Sequence, residues 1–187
     1  VTANFVAQRT LTISATAGGS VTPASPNVVA DGTTVTLVAT ALPNYTFTGW
    51  SGANAADLSS STLASVTITM NGDKTVAATF EPIMRTLTVS AGTGGSATPA
   101  GATQVIQGSS VSLTALPSAG FLFSSWTGVD AAQLSSTAVF NPTIVMAGDY
   151  SVTANFVVLR TLTITSSAGG SVTPVSPNVV VDGTTVT

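Results

Sequence analysis

The chain has 187 residues, with four Lys plus Arg against seven Asp plus Glu, a net charge of −3, and neither histidine nor cysteine. So few cations cannot neutralise a row of phosphates or hold a polybasic patch on anionic lipid, which excludes nucleic-acid binding by counterion release and electrostatic membrane docking. No disulfide framework is available, and the usual partners of a catalytic nucleophile and the soft metal ligands are missing.

Polarity comes instead from hydroxyls: 23 Ser and 33 Thr, the composition of hydroxyl-faced strands. The longest apolar runs, such as Phe156-Val157-Val158-Leu159, fall far short of the roughly 20 residues of a membrane helix.

In chain order, Val1-Thr2-Ala3-Asn4-Phe5 comes first and returns as Val152-Thr153-Ala154-Asn155-Phe156, so residues 1–8 read as the end of a preceding repeat. Arg9-Thr10-Leu11-Thr12-Ile13 then opens a unit. It recurs from Arg85 and again from Arg160, at steps of 76 and 75 residues. A period that long marks an array of small domains. The predicted units are 9–80 and 85–156, and 157–187 reads as the start of a further, incomplete repeat. A chain that begins at a unit's end and stops in mid-unit is expected to be a window from a longer polypeptide.

Within a unit, Gly18-Gly19 marks a first turn and Asp31-Gly32 a second, followed by the alternating strand Thr34-Val35-Thr36-Leu37. The aromatic run Tyr45 to Trp50 comes next. Ala53 to Ser59, echoed by Val129 to Ser135, breaks the alternation and predicts a short helical turn. Thr67-Ile68-Thr69-Met70 resumes the period of two. Met70-Asn71-Gly72-Asp73-Lys74 and Met146-Ala147-Gly148-Asp149-Tyr150 predict tight hairpins with glycine at positive φ. Each unit closes on a half-buried strand with Val76, Ala78 and Phe80 on one face. These signals predict a mainly β fold of five or six short strands per unit. Phe80 to Arg85 is five steps and Phe156 to Arg160 four, joints short enough to predict a semi-rigid rod.

Asp31-Gly32-Thr33-Thr34-Val35-Thr36-Leu37, Tyr45-Thr46-Phe47-Thr48-Gly49-Trp50-Ser51-Gly52 and Asn71 to Phe80 together resemble the divergent branch of the internalin-type B-repeat family. The resemblance covers essentially the whole chain. It implies tandem β-grasp-like modules of bacterial cell-surface or secreted proteins, serving as stalks, spacers or adhesive segments, with no catalytic residues and no cofactor to carry over. Copy two departs from the pattern at Gln107, Phe121-Leu122-Phe123, Ala147 and Tyr150.

Trp50 and Trp126 are the candidate ligand-stacking residues, since a flat indole suits the C–H face of a sugar. The competing reading makes each the plug of a small core, with Phe47, Leu37, Ile68 and Phe80 around the first. Paired catalytic carboxylates are not found: Asp57 and Asp130 fall out of register, and Asp73 and Asp149 follow turn glycines. No alternation of acidic residues suggests a calcium loop. A lysine–asparagine cross-link common to all units is ruled out because Lys74 is the only lysine and Tyr150 takes its place in copy two. Asn44-Tyr45-Thr46 fits the glycosylation sequon.

The expected function is non-enzymatic: a stalk, spacer or self-associating fibre, extracellular or at the cell surface, whose scarcity of charge leaves strand edges open to pairing. Expected partners are neighbouring repeats and other copies of the chain. The alternatives are an adhesive or carbohydrate-binding module, taking polysaccharide or a host protein, and an accessory region of a secreted enzyme.

Overall fold

The computed structural model describes residues 2, 3 and 5–186 and divides into two compact units, Val1–Ile83 and Met84–Thr187. The first unit contains, in chain order, β1 Gln8–Ala15, β2 Gly19–Thr22, β3 Asn27–Ala30, β4 Thr34–Ala41, β5 Tyr45–Ser51, β6 Ser65–Thr69 and β7 Lys74–Pro82. Period-two patterning is read out directly: β4 alternates exposed Thr34, Thr36, Val38 and Thr40 with buried Val35, Leu37 and Ala39.

Two sheets result, ordered β3-β1-β7-β5 and β2-β4-β6. β1 and β7, the first and last strands of the unit, run side by side in parallel from Leu11 opposite Lys74 to Ala15 opposite Ala78. The remaining pairs are antiparallel. Leu11, Trp50, Val76 and Phe80 from one sheet and Leu37, Val66 and Ile68 from the other form one buried cluster, closed by Met70.

The second unit contains β8 Met84–Ala91, β9 Gly95–Thr98, β10 Gly101–Ile106, β11 Ser110–Ser112, β12 Thr114–Pro117, β13 Phe121–Thr127, β14 Thr143–Val145, β15 Tyr150–Leu162 and β16 Asn178–Val181. Its main sheet runs β10-β8-β15-β13, again with opening and closing strands parallel, Tyr150 opposite Leu87 to Ala154 opposite Ala91. Leu87, Leu113, Trp126, Ile144, Met146 and Val152 build the corresponding core. The far half of β15 pairs with β16, Arg160 opposite Val180, as Arg9 pairs opposite Val29 in the first unit. Thus β15 runs unbroken through the joint predicted between 156 and 160.

The fold is mainly β, as expected, but the expected strand count and one turn are corrected. The first unit has seven strands, because Pro23 and Pro26, which carry no N–H, separate β2 from β3. In the second unit Pro142 stands where Val66 stands in the first. It cannot donate to the ladder, and the counterpart of β4 divides into β11 and β12 around Leu113. Met70 to Lys74 is not a hairpin: β6 and β7 lie in different sheets. The segment crosses between layers, pinned by Met70 N–H on the Thr33 carbonyl and Gly32 N–H on the Met70 carbonyl. Gly72 and Gly148 do not have positive φ. The predicted helical turns are single 3-10 turns, Ala55–Asp57 and Ala131–Gln133.

The recurring glycine pair has a steric origin. Gly18, at φ 101°, lies under the Tyr45 ring, where an added Cβ would stand 2.1 Å from a ring carbon, and Gly94 repeats this under Phe121.

Candidate functional site

Each tryptophan sits at the end of an aromatic chain inside its own unit. Trp50 meets the Phe47 ring edge-on at 5.7 Å, and Phe47 meets Phe80 at 5.6 Å. Trp126, Phe123 and Phe156 repeat the series at 6.0 and 6.3 Å. The indole N–H groups are satisfied internally, Trp50 donating to the Leu63 carbonyl at 2.9 Å and Trp126 to the Val139 carbonyl at 3.0 Å. With Trp50 only 6 % exposed and Trp126 2 %, neither ring offers a face to a sugar, which corrects the ligand-stacking alternative for both.

Asp31, Asp73, Asp149 and Asp182 are occupied in holding their own units. Asp73 Oδ1 accepts the Thr10 backbone N–H at 2.8 Å, and Asp149 accepts that of Thr86 at the same distance. Asp31 pairs with the Arg9 guanidinium at 2.6 Å and Asp182 with Arg160 at 3.1 Å. Where copy two has Gln107 in place of the turn aspartate, its Oε1 accepts from Arg85 Nε at 2.8 Å, so the clamp between opening strand and turn survives the substitution. No group of three or more metal-ligating side chains gathers among the described residues.

The one chemically dense cluster lies at the start of β7. Lys74 is buried, 7 % exposed, and its Nζ donates to Asp57 Oδ2 at 2.6 Å. Asn54 Nδ2 donates to the same oxygen at 3.0 Å, and Asn54 Oδ1 accepts the Thr75 N–H at 2.9 Å. Lys74 foremost, then Asn54, holds the Asp57 carboxyl below its ordinary pKa. The second unit has Asp130, Gln133 and Tyr150 at these three places, and only the cap is kept, Asp130 Oδ2 accepting the Ser151 N–H at 2.8 Å. Sequence reasoning missed this cluster. Its signal was three positions, 54, 57 and 74, changing together between copies.

The second unit also carries an open apolar groove of about 600 Å³ lined by Leu116, Leu122, Phe123, Val139 and Phe140. In the first unit Thr40, Thr46 and Ala64 occupy the places of Leu116, Leu122 and Phe140.

Two facing β layers, parallel terminal strands and internally consumed polar groups define a tandem β-repeat with no assembled catalytic centre among the described residues. The divergent InlB B-repeat domain matches residues 9–84 and 85–158, and the chain belongs to that family. Such repeats are typical of bacterial surface proteins and generally non-catalytic. No curated protein and no solved structure gave a match. No helix among the described residues is long and apolar enough to cross a membrane.

Proposed function

We propose that the chain is a load-bearing structural region, a stalk, spacer or self-associating fibre segment of a bacterial cell-surface or secreted protein. The observation that carries this reading is the parallel pairing of first and last strands in each unit. Tension enters a unit at the start of the opening strand and leaves at the end of the closing strand. In a parallel pair those points lie at opposite ends of the ladder, so the hydrogen bonds share the load in shear instead of opening one at a time.

The units are β-grasp-like, built on 9–80 and 85–156, with 157–187 beginning a further repeat. Support comes from the mixed sheet with its parallel central pair and from the 3-10 turn after β5. Ile83 alone separates β7 from β8, in keeping with a short joint.

Self-association uses the strand edges. β3 and β5 border one sheet of the first unit and β2 and β6 the other, and none of these four strands carries a charged residue. Sedimentation and electron microscopy over a concentration series test this: filaments or growing oligomers support the fibre, while monomers throughout leave stalk or spacer. The adhesive reading is tested by a glycan and host-protein screen. Binding lost on Trp50→Ala or Trp126→Ala with folding intact would overturn the structural assignment of both rings.

A further inference from the structure

We propose that Lys74 and Asn54 of the first unit join spontaneously into an intramolecular amide, with Asp57 as the proton carrier. Lys74 Nζ and Asn54 Nδ2 both donate to Asp57 Oδ2, at 2.6 and 3.0 Å, so nucleophile and primary amide share one carboxylate oxygen. Asn54 Oδ1 accepts the Thr75 N–H at 2.9 Å, a fixed donor at the atom where negative charge develops during attack. Lys74 is buried, which confines its side chain beside Asp57 and Asn54. Held together by the fold, the two groups react as one molecule and not as two.

The step balances. Asp57 takes a proton from the Lys74 ammonium, and the freed amine attacks Asn54 Cγ to form a C–N bond. The carbonyl electrons move to Oδ1 and return as the bond from Cγ to Nδ2 breaks. Asp57 delivers its proton to the leaving nitrogen, accepts one from the new amide nitrogen and passes it to the departing ammonia. An ammonium side chain and a primary amide become a secondary amide and an ammonium ion, with no change of oxidation state. The ion pair is the resting state, so the reaction is slow, but one turnover per molecule suffices.

The second unit supplies the contrast. Asp130 caps the Ser151 N–H as Asn54 caps that of Thr75, so capping does not require an amide. Lysine, shared acid and amide occur as a set only where the reaction is possible. Once joined, residues 54 to 74 form a closed loop and cannot extend under load, shortening the first unit's release by about 70 Å at roughly 3.3–3.6 Å per residue.

The intact mass of the folded full chain, followed over time, is the test. Cleavage before Asp57 and Asp73 then places Asn54 and Lys74 in different peptides. The expected result is a chain lighter than its sequence by one ammonia and a joined pair of peptides. Joining should be absent in Lys74→Met and at least about 10²-fold slower in Asp57→Asn. The full sequence mass in a folded chain would overturn the proposal. So would ammonia loss confined to the Asn54 peptide, which is imide formation, or loss of one water, which is joining to Asp57. The wild-type mass decides the question even if a variant fails to fold.

Discussion

The two units share a core and differ at its margins. Leu11, Trp50, Ile68, Met70 and Val76 have direct counterparts in Leu87, Trp126, Ile144, Met146 and Val152, all buried. Around this constant interior the first unit has a continuous β4, a buried Lys74 paired with an exposed Asp57, and a hydroxyl-lined surface. The second has a divided strand, Tyr150 and Gln133 in place of that pair, and an apolar groove. The difference teaches that aromatic and aliphatic packing specifies the repeat, while the ladder and the charged cluster are adjustable.

The largest expected effect falls on the shared interior. Trp50→Ala or Trp126→Ala should each cost roughly 3–5 kcal/mol, because a buried indole leaves a cavity the sheets cannot close. Denaturant unfolding should then show one unit lost and its neighbour retained. A loss under about 1 kcal/mol would mean the ring was not packed.

Next come the glycines beneath the aromatic rings. Gly94→Ala puts a Cβ into the Phe121 ring at a backbone angle that suits glycine, and should cost about 1–3 kcal/mol. Gly32→Ala, strained at φ 80° but free of any neighbour within 4 Å, should cost less. Thermal unfolding of the pair separates the steric contribution from the conformational one.

The ladder can be exchanged between copies. Val66→Pro should divide β4 as Pro142 divides its counterpart, at a cost of about 1–3 kcal/mol, and Pro142→Val should recover about 1 kcal/mol by restoring one donor. Amide exchange at Thr36 to Val38 and at Ser112 to Thr114 reads this locally.

The smallest effect is electrostatic. In an Asn54→Ser chain, which keeps the ion pair but has no amide to join, Asp57 still has its pKa lowered by Lys74. A carboxyl lowered in the folded state adds stability above its unfolded pKa and loses it as pH falls through the folded value. The first unit should therefore weaken below pH 3.8 in a way that Lys74→Met abolishes, with no counterpart at Tyr150. Unfolding followed at several pH values checks this.

Much of the fold was legible because strand patterning is local. Val76, Ala78 and Phe80 announced their buried face, and the Arg9, Arg85 and Arg160 motifs announced the period. Less legible was what depends on which strands become neighbours. Asn71-Gly72 has the composition of a hairpin, yet the partners of β6 and β7 are β4 and β1, far away in sequence. Lys74 read only as the last residue of a turn. Only the arrival of the 3-10 turn above β7 buries it and supplies Asp57 and Asn54. The tryptophans were placed by composition, since a small unit without disulfide or metal needs its largest apolar groups inside.

Pulling single molecules from the two chain ends tests most directly whether parallel terminal strands make these units load-bearing. Two separate rupture events are expected, at forces well above those found when the same unit is pulled through residues 45 and 82, which peels β5 from β7. Smooth extension without rupture peaks, or equal forces in the two pulling geometries, would contradict a shear-loaded design.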